Sequence, residues 1–319
     1  MSTEFTKEFK TYDEQLRILA GRNLPSRNEG VCLRALKQIG YYRLSAYWYP
    51  FRIRDDDHVE GIDTPHEEVF PGLYLDDIVL IYEFDRKLRH ILARALDRIE
   101  LATRVAVAYQ LGQHDRFAFE REDMFNDNCG SPSHWDPRVS QFEAFRRMVT
   151  SRQIESKEVF VQHYAQRYGG RLPVWVCIET WDFGTLNTCY QLLRPEDRLA
   201  IAASLGFVSA RTLGSWLDPF RVLRNLCAHH SRLNRRHFAS IPRFARNDRY
   251  SHIHSLNEHQ KHRLYPILVA VLEFLRFLEA KDGFTKELRS LIEEIPSMPG
   301  LAERDFGFPH NWIEESVWK

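Results

Sequence analysis

Between Leu75 and Gln110 the apolar residues Ile78, Tyr82, Leu88, Leu92, Ala95, Ile99, Ala102 and Ala106 recur three or four positions apart. That period belongs to a helix with one buried face, so the stretch predicts a long amphipathic helix, or two joined at a bend. The same spacing predicts helices over 12–23, 28–39, 142–168, 195–205, 210–217, 218–236, 257–280 and 285–294. An aromatic run, GYYRLSAYWYPFR, fills 40–52, and 55–72 mixes acids, Gly and Pro as an exposed loop does. Asn126, Asn128, Gly130, Pro132 and Pro137 mark turns. Only RLPVWVCIET, at 171–180, has the β-branched and aromatic bias of a strand, and it is short enough to be a buried connector. The count predicts an all-α fold.

A chain of 319 residues suffices for one large domain or two modest ones. The pattern divides it into an N-terminal helical and aromatic subdomain (1–72), a helical domain (73–295) and a tail that packs back on it (296–319). Lys and Arg number 44, as do Asp and Glu. A chain-wide electrostatic footprint for nucleic acid is therefore absent, and any basic surface must be local. The start, 1–10, is charged and lacks the apolar run of a secretory signal. The most apolar stretch, 267–278, is interrupted by Glu273 and Arg276, too early for a membrane span. Five scattered cysteines without a CxxC pair support neither a disulfide framework nor a cysteine zinc cage. A reduced cytoplasm is the expected location. No Walker loop, GxGxxG or HExxH occurs, which argues against an ATPase, a dinucleotide enzyme and a zincin.

The chemistry concentrates in RNLCAHHSRLNRR, 224–236. Asp218-Pro219 reads as a helix start, with Asp as N-cap and Pro in the first turn. Projected at about 100° per residue, Arg221, Asn225, His229, Arg232 and Arg236 share one stripe, with Arg224 on its flank. Leu223, Leu226, His230 and Leu233 fall on the opposite, core-facing side. From Arg221 to Arg249 there are eight arginines and three histidines against one acid, Asp248. Histidine titrates near neutrality and can carry a proton either way. Arginine offers a fork matched to phosphate oxygens. RNA can be cut without metal when its own 2′-hydroxyl attacks the phosphate, and that hydroxyl would restrict the substrate to RNA. The same stripe is also what any solvated helix face looks like.

R-N-x-x-A-H-H-x-R-L closely resembles the signature of the Abi-like (AbiD/AbiF) abortive-infection proteins, a branch of the HEPN superfamily. Ordered blocks extend the resemblance: YDEQLRILAGRNL near the start, IGYYRLSAYWYPF at 39–51, YEFDRKLRHILARALDRIE at 82–100, LPVWVCIETWDFGTL at 172–186 and SWLDPFRVLRNLCAHHSRLNRR at 215–236. Together they cover most of 12–240. The resemblance implies a HEPN-type helical bundle in which R-x4–6-H from two copies builds one composite ribonuclease site in a homodimer. Carried over, the arginine is Arg224, the polar residue after it Asn225, and the histidine His229. His230 also satisfies the spacing, and the projection favours His229. Arg221, Arg232, Arg235 and Arg236 would hold the RNA backbone. The resemblance further implies a growth-arresting role in phage infection, an RNA substrate, in some members a structured cognate RNA, and no cofactor. The superfamily also contains inactive RNA-binding versions and toxin–antitoxin partners, so a non-catalytic module is the alternative.

Other groups read more simply. The Tyr41–Phe51 run could stack on unpaired bases with Arg43 or Arg52, but docking of an aromatic subdomain is the preferred reading. Glu83, Asp85, Arg86, Arg89, Arg98, Glu100 and Arg104 could face the site from the long helix, but their spacing reads first as surface ion pairs. Glu179 and Asp182 read first as capping or turn residues. Cys227, His229, His230 and His237 diverge in the projection, so no metal site is expected.

Overall fold

The computed structural model describes residues 8–53, 67–133, 136–279 and 283–319. Its helices are α1 (Tyr12–Gly21), α2 (Glu29–Gln38), α3 (Tyr41–Trp48), α4 (Leu75–His114), α5 (Gln141–Glu155), α6 (Val159–Tyr168) and α7 (Val174–Cys177). There follow α8 (Phe183–Leu192), α9 (Pro195–Ser204), α10 (Ala210–Ala228), α11 (Ser251–His254), α12 (Glu258–Lys261), α13 (Tyr265–Phe277) and α14 (Phe284–Ile292). No strand occurs among the described residues, only isolated bridges such as Arg52 with Val69. The fold is all-α. Most of the loop expected at 55–72 lies outside the described residues; its far end pairs back, with Ile53 N–H donating to the Glu68 carbonyl and Phe70 N–H to that of Phe51.

The long apolar period is one unbroken helix. At 1.5 Å per residue α4 spans about 60 Å and serves as the axis on which α2, α3, α7, α9, α10, α13 and α14 pack. Leu88, Leu92, Leu96 and Ile99 on its inner face are fully buried. Local signals fix where shorter helices begin. Thr11 and Glu14 close a reciprocal capping box on α1, Asn28 caps α2, and Asp182 accepts from Thr185 N–H at 2.7 Å to cap α8. The capping reading of Asp182 was the right one. Near the tail Phe306, Phe308, Trp312 and Trp318 are buried, and Tyr265 from α13 lies 4.9 Å from Phe308.

Four expectations are corrected. The single helix expected at 142–168 is two, because the one apolar residue between Thr150 and Glu158, Ile154, is exposed and gives the middle no buried face. The helix expected at 257–280 divides before Tyr265, where Pro266 in the first turn of α13 cannot continue a preceding helix. Residues 174–180 form a short helix and a 3₁₀ turn rather than a strand. Most consequentially, 210–217 and 218–236 are not two helices. Ser209, not Asp218, caps α10, which runs through Pro219. An internal proline costs about 3 kcal/mol, but Trp216, Leu217, Phe220 and Leu223 around it are fully buried, each contributing about 1.5–3 kcal/mol. Packing outweighs the break.

Candidate functional site

α10 stops at Ala228, inside the motif. Ser231 N–H bonds the Leu226 carbonyl at 2.8 Å and His230 N–H the Cys227 carbonyl at 3.2 Å. This pair of bonds is the Schellman termination, with His229 as C-cap and His230 in the left-handed position that usually takes glycine. His230 has φ 54°. The projection that put His230 on the core face therefore fails beyond Ala228: His229 and His230 are both exposed, and Arg232, Leu233 and Arg236 belong to an irregular segment rather than to the helix. A β-carbon in the left-handed region costs about 1–2 kcal/mol. His230→Gly is accordingly expected to raise stability by about that much in a denaturant titration. Unchanged or lower stability would show that the turn does not carry this strain.

The segment after the turn is held from below by a buried cluster on α4. Asp85 accepts from Leu233 N–H at 3.0 Å, Asn234 N–H at 3.1 Å, Tyr47 Oη at 2.8 Å and Arg89 Nη1 at 2.6 Å. Arg89 donates in addition to the Ser231 carbonyl at 3.3 Å. Burial raises the Asp85 carboxyl above its usual range, while these donors pull it back. From above, α3 clamps the same turn. Arg43 donates to the His230 carbonyl at 2.8 Å, and Arg232 donates to the Ala46 carbonyl. The aromatic run thus docks as a buttress through buried Leu44, Tyr47 and Trp48, with Tyr42 left exposed. Reading Asp85 and Arg89 as surface ion pairs was wrong, whereas Glu83 and Arg86 do form one at 2.6 Å.

Along the last turns of α10, Arg221, Asn225 and His229 follow at four-residue spacing, and the His229 N–H donates to the Asn225 carbonyl at 2.9 Å. Arg224 lies beside them, its Nε 3.3 Å from Glu100 Oε2. Glu100 also takes Arg104 Nη2 at 2.8 Å, and Arg104 donates to the Ile178 and Glu179 carbonyls. Both side chains of this α4 pair are about nine-tenths buried, so they face the motif arginine rather than open solvent. Glu100 is the site neighbour that sequence reasoning undervalued.

The basic stretch is less basic in space than in sequence. Arg221 pairs with Asp218 at 2.7 Å, Arg235 with Asp305 at 2.9 Å and Arg249 with the buried Glu273 at 2.6 Å. Arg232 is turned inward on Ala46. Of the residues expected to hold RNA, Arg221, Arg232 and Arg235 thus have partners within the chain, and Arg236 is exposed. Among the described residues no three His, Cys, Asp or Glu gather as a metal set. Cys227 is buried, and burial pushes its thiol up to about 12. No helix among the described residues is long and apolar enough to cross a membrane.

Comparison with curated proteins and with solved structures gives no match. A protein-family comparison does: the model of the family described as Abi-like protein matches residues 34–234, from α2 through α10 to the segment seated on Asp85. With more than half of its length matched, the chain belongs to the Abi-like protein family.

Proposed function

We propose that the protein is an abortive-infection effector of phage defence and a metal-independent HEPN-type endoribonuclease, with no cofactor, acting in the cytoplasm as a homodimer. The observation that carries this reading is the exposed His229, one helical turn from Asn225 and beside an Arg224 held by a carboxylate from α4. In this reading the 2′-hydroxyl of RNA gives its proton to His229 and bonds to phosphorus. Arg224 steadies the crowded phosphate, and Asn225 helps to place it. The bond to the 5′-oxygen breaks, and that oxygen takes a proton from the His229 of a second copy, leaving a 2′,3′-cyclic phosphate and a 5′-hydroxyl. Leu101, Val105 and Tyr109, exposed at i, i+4 and i+8 of α4 on a face next to Arg104, support a second copy seated there.

Purified protein should cut single-stranded RNA in EDTA, and His229→Ala should abolish cleavage with the melting transition unchanged. Undiminished cutting by that variant would sink the assignment. His230→Ala should keep most of the activity; the reverse ranking of the two variants would make His230 the acting residue. Val105→Glu should shift the sedimentation of a dimer toward monomer, and a wild-type protein monomeric at micromolar concentration would remove the composite site.

The alternative, a non-catalytic RNA-binding or toxin–antitoxin module that binds a structured cognate RNA, is favoured by one observation. Glu100 and Asp218 already neutralise Arg224 and Arg221, and a phosphate would have to compete with them. It predicts salt-sensitive RNA binding without strand scission.

A further inference from the structure

Three arginines without a carboxylate partner among the described residues gather at the other end of α10. After the motif turn the chain doubles back along this helix. Arg243 is clipped at both backbone groups, its N–H donating to Ser215 Oγ at 3.0 Å and its carbonyl accepting from Trp216 Nε1 at 2.8 Å. Phe244 packs on the Trp216 ring at 5.3 Å. This returning segment and the first turn of α10 enclose a cavity of about 560 Å³ lined by Arg211, Thr212, Arg243, Arg246, His254 and Lys261, among others, with no carboxylate in its wall. Arg211, Arg243 and Arg246 are exposed and form no salt bridge among the described residues; Lys261 alone is paired, with Glu258 at 2.7 Å.

Arg211 and Arg243 also line a second recess of about 300 Å³ together with Arg198 and Asp218. The Arg198 Nε is buried without a hydrogen-bond partner. Asp218 and Arg221 in turn line a third recess of about 580 Å³. The three share walls, so one trough follows α10 from Arg211 to Arg221, about 15 Å at 1.5 Å per residue. Its acids, Asp218 and Asp136, sit toward the Arg221 end and its uncompensated cations at the Arg211 end.

We propose that the Arg211–Arg243–Arg246 cavity binds phosphate groups, and that the trough carries an RNA backbone from there toward His229. The phosphate chemistry stands on the cavity itself. Naming RNA as the source rests on the function proposed above. A dry-walled apolar pocket would suit a neutral ligand, but here three free guanidinium groups converge without a counter-ion, and a multiply charged phosphate is what they match. The trough also separates holding from cutting: the arginines that grip the strand lie more than two helical turns from the proposed catalytic histidine.

The test uses the full chain carrying His229→Ala, so that RNA is bound and not consumed. Arg211→Ala with Arg243→Ala is compared with that parent, and Arg17→Ala, an exposed arginine on α1 outside all three recesses, serves as control. The probes are a short single-stranded RNA, followed by anisotropy, and inorganic tripolyphosphate, followed by calorimetry. The double substitution should weaken RNA binding about tenfold or more at low salt, and reduce the slope of log affinity on log salt by about 1.4, at about 0.7 per contact. Tripolyphosphate binding should be lost, and Arg17→Ala should change neither. RNA bound equally well with and without Arg211 and Arg243 would overturn the trough. Failure of the parent to bind either probe would overturn the cavity as well. Arginine-dependent binding of tripolyphosphate without RNA binding would keep the phosphate site and remove RNA as its ligand, whatever the cleavage assay of wild-type protein shows.

Discussion

Asp85→Ala is expected to destabilise the protein by about 3–5 kcal/mol and to loosen the segment that follows the candidate site. The carboxylate is fully buried and serves four donors: Tyr47, Arg89, and the backbone N–H groups of Leu233 and Asn234. Removing it leaves the buried Arg89 charge without its carboxylate and two buried amides without acceptors, and an orphaned buried charge is the most costly of these losses. Denaturant unfolding should show a lower midpoint with little change in slope. Amide exchange at Leu233 and Asn234 should accelerate more than at the α13 core, where Ile267 to Val271 are fully buried. The partner variant supplies the decisive comparison. Asp85→Leu with Arg89→Met removes both charges and should be more stable than Asp85→Ala alone. If Asp85→Ala lies within about 1 kcal/mol of wild type, the cluster is not what seats the motif segment.

That cluster shows what the sequence did and did not disclose. Asp85 and Arg89 sit at i and i+4 between Ile81, Phe84, Leu88 and Leu92, all buried. Their helical angle already placed them on the apolar face. The signal was present, but i, i+4 charges on an amphipathic helix are usually solvated, and that base expectation prevailed. Glu100 and Arg104 were passed over for the same reason. Helix positions were legible wherever an apolar period was long or a cap was explicit, as in α1, α2, α4 and α9. They were misread where tertiary packing overrode a local rule. Pro219 inside α10 is the clearest instance, since nothing local to Asp218-Pro219 announces that the residues on both sides bury against one core.

The motif itself was legible as residue types and only partly as geometry. Projection assumes a helix, and the Schellman turn that ends this one has histidine, not glycine, in its left-handed position. Without glycine, nothing local marks the stop. The consequence is chemical, because both histidines reach solvent and the projection's reason for preferring His229 disappears. What now distinguishes them is backbone: His229 continues the Arg221–Asn225 face through its bond to the Asn225 carbonyl, while His230 is turned away at φ 54° with its carbonyl held by Arg43. Linear charge misled in a similar way. Asp218 lies just before the basic stretch in sequence and Glu273 and Asp305 lie well beyond it, yet in space they neutralise its Arg221, Arg249 and Arg235.

The second large effect is expected at the far end of the chain. Gly307→Ala should destabilise by about 2–5 kcal/mol, from a left-handed penalty of about 1–2 and an overpacking cost of about 1–3. Gly307 has φ 86°, and a β-carbon there would lie 2.5 Å from Arg263 Cβ and 2.8 Å from the Gln260 carbonyl. Neither obstacle can swing aside, since one is the root of a side chain and the other is backbone. Gly169 separates the two contributions. It has φ 65° at the end of α6 with nothing within 4 Å of a β-carbon, so Gly169→Ala should show the conformational penalty alone. The damage at Gly307 should also travel. Asp305, two residues earlier, holds Arg235, and Arg263, against which the new methyl would press, donates to the Arg235 carbonyl. Displacing the tail therefore releases Arg235 from both sides, next to the segment seated on Asp85. Tryptophan emission should report it directly, because Trp312 and Trp318 pack at 4.8 Å in the same tail. A Gly307→Ala protein no less stable than Gly169→Ala, with unshifted emission, would mean that the tail does not brace the site.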